Sequence, residues 1–590
     1  MLPINDLPLL ALLLPAAATL VCSALGRPWP RWPGFWSRWV LRAGLALALA
    51  DVVAILNWLP PGGTLQVTLW QIEPQLPITL SVDSRGTVLA IMVLLAALVV
   101  SLAARDRRPL ASAALGLAVL GAVGAAFAGD LLSLYIGLQL SALGGIGLSY
   151  ARKPRAASSR MVWAAVTDQS IGLIWLGAMI LLLHQTDTLQ LDAIPTSSVS
   201  PALAGLLLLP AALRLLGCGF VAGSSSSRRP GSAGRSLDVA DWMTVVAVPT
   251  ALLLLIRVQA LSGGSWPTPW FGTGLDLLAL LMAVVAAAGL LISSNPQVAL
   301  RALLLVLAAL VLVGFGQNSA DGTLLGLTAG LFLAVSAAFL PRALLAGGRP
   351  VRPRSAISGG DQPGAPRIAG ELIVLMPCVL GFSVAVLGTD LALRGGLELG
   401  FAPGLAYLVS LAGLVLTVPR LRRAATPPTR WPWPLWFPIV LVGAAAILPG
   451  EVLTIAATSL AAPGTSSLTL LSEPDPLVIL APGLLWPGGY LVLLAGLVAA
   501  AGRAWRLANG GAPPVLDPEA SFSPPYLIHS GGLARLLARR RSAPLWTKAV
   551  RHWYSTAIGL ADREVSERPV WLWVAGAVAA AWLLAEAVRL

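Results

Sequence analysis

Asp51, Asp130, Asp168, Arg214, Asp238 and Asp241 stand within, or at the ends of, long apolar runs. An ionisable group placed in hydrocarbon is expensive, so each is a functional candidate by default. A carboxylate in such a position can take up and release protons, whereas a guanidinium is a fixed positive charge. Asp168, in WAAVTDQSIGLIW, lies well inside one run, and Arg214 lies inside the next. The two could neutralise each other, because a buried pair costs less than either charge alone even where it adds nothing to stability. This arrangement reads as part of a proton relay or, as the more ordinary reading, as a structural ion pair or residues facing a small wet cavity. Asp130 heads the run DLLSLY and reads as a helix N-cap. Together with Asp241, it completes the set of acids that a proton path could use. Asp51 fits a wet crevice. Pro210 and Pro377 also lie inside apolar runs, where proline removes a backbone hydrogen bond and kinks a helix. Ordinary kinked membrane helices would carry the same signal.

Other chemistries find no support. The three cysteines, Cys22, Cys218 and Cys378, fall in apolar runs without a CxxC spacing, and the three histidines, His184, His529 and His552, are scattered. That pattern signals neither a disulfide framework nor a zinc or iron–sulfur cluster. No nucleotide fingerprint or flavin motif occurs. The expectation is therefore no cofactor, no metal and no catalytic or redox site in this chain.

The elements that must position these residues are membrane helices. Of the 590 residues, 57% are hydrophobic and only 11% charged, with a mean hydropathy of +0.81. A soluble domain carries about 25% charged residues. The apolar runs are continuous and about 20 residues long, the length a helix needs to cross about 30 Å of hydrocarbon. They predict about sixteen spans, at 5–25, 39–59, 83–103, 109–128, 130–150, 161–183, 201–221, 240–259, 275–293, 298–316, 323–341, 370–392, 401–419, 435–458, 484–502 and 568–588. The first run, Leu7 to Leu25, has no basic stretch before it and no clear cleavage motif, so it reads as a retained span.

The net charge of +13 comes from arginines and lysines in short loops between runs. Counted along the chain, nearly all of the 39 basic residues fall in alternate loops; the exceptions are Arg85, Arg214, Arg257, Arg394 and Arg589. Such alternation is the positive-inside pattern and puts those loops in the cytoplasm. It accounts for the basic balance without nucleic acid. Two Trp-rich stretches, RPWPRWPGFW at 27–36 and RWPWPLWF at 430–437, fit an aromatic belt at the membrane interface. Residues 64–82, TLQVTLWQIEPQLPITLSV, alternate apolar and polar side chains and predict an external hairpin. Residues 503–567 form a basic, partly amphipathic segment suited to a membrane surface.

Three passages resemble the antiporter-like subunits of complex I and of Mrp-type cation/proton antiporters. They are LSVDSRGTVLAIMVLLAALVVSL at 80–102, AGDLLSLYIGLQLSALGGIGLSY at 128–150, and the pair ALRLLGCGF at 212–220 and MPCVLGFSVA at 376–385. The resemblance runs over about residues 64–420. It implies an all-α polytopic fold with two inverted five-helix repeats, spans 4–8 and 9–13, each with its fourth helix broken, here near Pro210 and Pro377. The implied organisation is three N-terminal spans with the hairpin (1–108), the first repeat (109–259), the second repeat (275–419), two further spans (435–502), the basic segment (503–567) and a last span (568–590). The resemblance also implies a relay of Glu, Lys and His residues across the membrane, and this chain departs from it. Gln139 stands in place of the Glu, Arg214 in place of the first Lys, and Val248, Val335 and Ala385 near the later ones. Glutamine cannot exchange a proton near neutral pH, although it can hold water. A residual relay would use Asp168, Gln139 and Arg214. The implied function is that of a membrane-arm subunit contributing to proton or cation translocation in an energy-transducing membrane, a bacterial-type plasma membrane or a thylakoid. Its partners would be other membrane subunits and lipids, and any redox chemistry would be theirs. The alternatives are a non-pumping structural paralogue and a partner in an ion or inorganic-carbon uptake complex.

Overall fold

The structure, a computed structural model, describes most of residues 7–346, eight residues between 378 and 392, residues 397–424, and six residues between 479 and 486. Within the first stretch, residues 26–32, 60–62, 74–75, 105–107, 152–158, 222–241 and 293–295 fall outside the description. The expected spans at 435–458 and 568–588, the basic segment 503–567, Asp238, Asp241 and Pro377 also lie outside the described residues.

The described chain is mostly helical. Its helices are α1 (Leu7–Leu25), α2 (Pro33–Trp58), α3 (Ser84–Ala103), α4 (Pro109–Ala126), α5 (Leu131–Ala151), α6 (Ser159–Thr186), α7 (Pro201–Val221), α8 (Val248–Leu261), α9 (Pro269–Ile292), α10 (Pro296–Gly316) and α11 (Ala320–Ala346). Residues 378, 381, 384, 385, 388, 389, 391 and 392 are helical (α12), and α13 covers Leu397–Ala424. Eight of the described helices are long and apolar enough to cross a membrane, and shorter apolar helical stretches lie at Gly172–Thr186, Pro201–Leu215, Val245–Leu261 and Gly322–Ala338. The chain is thus a multi-pass helical membrane protein. Residues Leu484–Trp486, expected to open a span, instead form a strand paired antiparallel with Ile479–Ala481.

Two β-strands, β1 (Leu65–Glu73) and β2 (Leu76–Val82), pair antiparallel over the alternating segment, with Leu65 opposite Val82 and two register shifts along the way. The free edge of β2 continues into backbone bonds: Ser81 N–H donates to the Phe127 carbonyl (2.8 Å), and Gly129 N–H to the Thr79 carbonyl (3.0 Å). The 127–131 segment in turn bonds residues 189–191, with Leu131 N–H on the Leu189 carbonyl (2.9 Å). The extended chain left over between helices is therefore satisfied by neighbouring backbone, as buried N–H and C=O groups require.

Burial varies sharply between helices. In α10, 94% of the span Ala299–Gly316 is buried, against 28% in α1 and in α2. A helix apolar all round belongs in the centre, and α10 is packed by α7, α9, α11 and α13. Glycines bring α4 and α5 into backbone contact. A Cβ on Gly121 would sit 2.3 Å from the Ser141 nitrogen, and one on Gly137 would sit 2.5 Å from the Ala125 nitrogen. Only glycine allows such backbone contact, and small residues are the means by which membrane helices gain packing where lipid gives no hydrophobic drive.

Candidate functional site

The polar residues of the described core gather in three places. The first is the hairpin end of the bundle. Asp130 is 1% exposed, and its carboxylate accepts from the Thr79 N–H (2.7 Å), the Thr79 hydroxyl (3.0 Å), the Ser133 N–H (2.7 Å) and the Ser133 hydroxyl. It caps α5 and ties that helix to β2, a stronger role than the single cap bond expected from sequence. Asp83 caps α3 through the Gly86 N–H (2.8 Å) and pairs with Arg257 of α8 (3.2 Å). Arg257 also reaches the Ala126 carbonyl at the end of α4 (3.4 Å). One guanidinium thus joins α3, α4 and α8, and it places one of the exceptions to the charge alternation beside an acid.

The second place lies between α5, α6, α7 and α8. Arg214, on α7, is 5% exposed, and its Nη1 donates to the Thr250 hydroxyl at 2.7 Å. That hydroxyl donates in turn to the carbonyls of Val246 (2.8 Å) and Ala247 (3.0 Å). Those carbonyls belong to a five-residue π-helical turn, Met243–Ala247, that leads into α8. Pro249 explains the turn, since it cannot donate into the helical ladder and its ring crowds the preceding turn. The Trp242 indole, buried at the head of this turn, donates to the Ser141 carbonyl of α5 (2.7 Å).

This geometry corrects one expectation. The irregular helix of the first half is α8, at its π turn; α7 runs without interruption from Pro201 to Val221 with Pro210 inside it. Beside that proline, the Trp175 indole donates to the Leu207 carbonyl (3.2 Å). Gln139 is half-buried, and its amide lies so close to Gly172 of α6 that a Cβ there would overlap it. Asp168 precedes Gly172 by one turn on the same helix, but its side chain is outside the described residues. The structure therefore brings Gln139 to α6 and gives Arg214 a partner on α8. Val248 and Ala385 are fully buried in the apolar core, and Val335 packs against it.

The third place was not singled out in the sequence. Asp276, on α9, is 4% exposed, and its Oδ1 has no hydrogen-bond partner. It lies against Gly316 at the end of α10, where a Cβ would clash with that oxygen. Tyr407 of α13, a helix packed against α9, is fully buried and its hydroxyl is also unpartnered. The Ser410 hydroxyl, one turn along α13, and both polar atoms of the Gln317 side chain are likewise buried without partners. The signal that could have found Asp276 is a lone acid in FGTGLDLLALLMAVV. With the span taken to start at 275, that acid is a terminal residue; the helix in fact begins at Pro269, almost two turns earlier.

Among the described residues, no group of His, Cys, Asp and Glu could hold a metal ion, and Cys22 and Cys378 are buried free thiols. What the arrangement offers is hydrogen bonding, fixed charge and carboxylate protonation inside an apolar bundle.

No protein-family model and no curated protein sequence matches the chain. Solved structures do. A chain of the Mrp complex from Dietzia sp. DQ12-45-1b is similar with a TM-score of 0.59 and 17% identity, covering 94% of this chain and 62% of that one. The protein thus spans less than two thirds of that Mrp chain. A chain of the membrane-bound sulfane sulfur reductase, an archaeal respiratory membrane complex, matches at TM-score 0.59 and 14% identity over 100% of this chain and 99% of the other. A chain of respiratory complex I from Thermus thermophilus matches at TM-score 0.50 and 20% identity, over 76% of this chain and 99% of that one. Identities this low speak for the fold alone: this chain folds like chains of the Mrp complex, the sulfane sulfur reductase complex and respiratory complex I.

Proposed function

We propose that the protein is a membrane-arm subunit of a multi-subunit complex and contributes to proton or cation translocation, with two inverted five-helix repeats at spans 4–8 and 9–13. The observation that carries this reading is a likeness of fold extending over 99% of a respiratory-complex chain and over all of this one. Polar groups of the kind translocation needs support it: the Arg214–Thr250 link beside a π turn, and Gln139 of α5 set against Gly172 of α6, the helix that carries Asp168. π-helical turns inside membrane helices occur often at functional sites. Asp168, Gln139 and Arg214 form the path of the first half, with Asp130 and Asp241 at its ends. Any redox step belongs to partner subunits, and the membrane is an energy-transducing one, a bacterial-type plasma membrane or a thylakoid.

A specific observation favours a second reading, that of a structural paralogue which does not pump. The positions near which the relay calls for lysine are apolar, and two of them are sealed in the core. Purification of the native complex in mild detergent, with mass-spectrometric identification of partners and proton uptake measured in vesicles, separates the two. Recovery with respiratory or Mrp-type subunits, and uptake lost in Asp168→Asn and Arg214→Ala, is the expected result. Recovery of the chain alone would overturn the assembly, and uptake unchanged in both variants would leave the structural reading.

A further inference from the structure

We propose that Asp276 is an exchangeable proton site buried between α9, α10 and α13, with Gln317, Tyr407 and Ser410 holding the water through which the proton arrives and leaves. The inference rests on the translocation reading for its purpose, but not for its chemistry.

The argument begins with hydrogen bonds that are missing. In a folded protein nearly every buried polar side-chain atom has a partner, and each exception asks for an explanation. Four residues on neighbouring elements are exceptions together: Asp276 Oδ1, Gln317 Oε1 and Nε2, Tyr407 Oη and Ser410 Oγ. Asp276, Tyr407 and Ser410 are each more than nine-tenths buried. Their placement is built in by glycine. Gly316 makes room for the carboxylate at the end of α10, with Gln317 the next residue, and Gly388 makes room for the Tyr407 ring. Tyr407 and Ser410, three apart on α13, share a face. Asp276 lies about 10 Å along α9 and Tyr407 about 15 Å along α13, at 1.5 Å per residue.

The chemistry of the set points to a proton. A carboxylate binds and releases one, and hydroxyls and an amide both donate and accept, so together they can hold a short chain of water. The proton adds to Oδ1 on entry and leaves from it on exit, which restores the carboxylate. Among the described residues of the packed helices, no fixed charge pairs with the site. Asp276 is the only charged residue of α9. On α10 the only one is Arg301, fifteen residues before Gly316, and α13 carries Glu398, Arg420, Arg422 and Arg423 near its ends. The packed α7 contributes Arg214, which is bonded to Thr250. Tyr407, with its buried and unpartnered hydroxyl, is the titratable group that the packed α13 carries away from its charged ends.

The test is carbodiimide labelling of the native complex in its membrane. Carbodiimides add to protonated carboxyls in apolar surroundings, and peptide mapping locates the adduct. Label is expected on Asp276, falling at least fivefold between about pH 6 and about pH 9, the range over which buried carboxyls exchange protons. It should be absent in Asp276→Asn, and Tyr407→Phe, which keeps the packing, should shift the pH at which it falls. Three results would overturn the site: no label on Asp276 at any pH, label independent of pH, or label abolished by sodium at fixed pH, which would make this a metal-cation site. Labelling reads the site directly. Failure of vesicle uptake with labelling intact would sink translocation and leave Asp276, while uptake unaffected by Asp276→Asn, with no label, would do the reverse.

Discussion

The polar groups near Arg214 and those near Asp276 occupy opposite situations in one bundle. Arg214 meets Thr250, Thr250 meets the carbonyls of the π turn, Trp242 meets Ser141, and Asp130 at the hairpin end accepts from four donors. Near Asp276, a carboxylate oxygen, a phenol, a hydroxyl and an amide are all buried without partners. A satisfied polar network rigidifies, whereas an unsatisfied one is costly and persists only for a reason. The difference teaches that the two clusters use polarity for different ends. One joins helices, and the other leaves its polar atoms without protein partners.

Replacing the same acid in the two settings should break or sharpen this contrast most. Asp130→Asn places an amide where a carboxylate accepts four hydrogen bonds, and should cost about 3 kcal/mol of stability, read as a lowered unfolding midpoint in detergent. Arg257→Ala should follow at about 2–3 kcal/mol, because it strands Asp83, a half-buried partner. Thr250→Val keeps the shape and removes the acceptor of Arg214, for about 1–2 kcal/mol in the same measurement. Asp276→Asn should cost less than about 1 kcal/mol, since no partner of Oδ1 is lost. A loss at Asp276 equal to that at Asp130 would erase the contrast and make both acids structural.

Much of the fold was legible because membrane spans declare themselves by composition. The ends expected for α1, α3, α4, α5 and α7 lie within a few residues of those observed, since hydropathy and length decide a span almost alone. The hairpin followed from its alternation, and the Asp130 cap from its place at the head of a run. The site was less legible. The π turn arises from Pro249 acting with Thr250 and Arg214, and only Pro249 leaves a local trace. Pro210, which looked like a break, is absorbed within a continuous helix. Asp276 was passed over because a span drawn to start one residue before it makes the acid a solvated end.

By itself, the sequence determined a helical membrane protein, the ends of several of its spans, its hairpin and the charge of its loops. These depend on the solvation of each residue and on neighbours a few positions away, which the chain carries in order. The tertiary structure alone decided which charges meet. Asp83 and Arg257 are 174 residues apart, and Arg214 and Thr250 are 36 apart. Asp276 and Tyr407 lie on different helices that pack against each other. Such meetings depend on how helices turn and settle to bury their apolar faces and seat their glycines. That is a property of the whole bundle, and no local pattern encodes it.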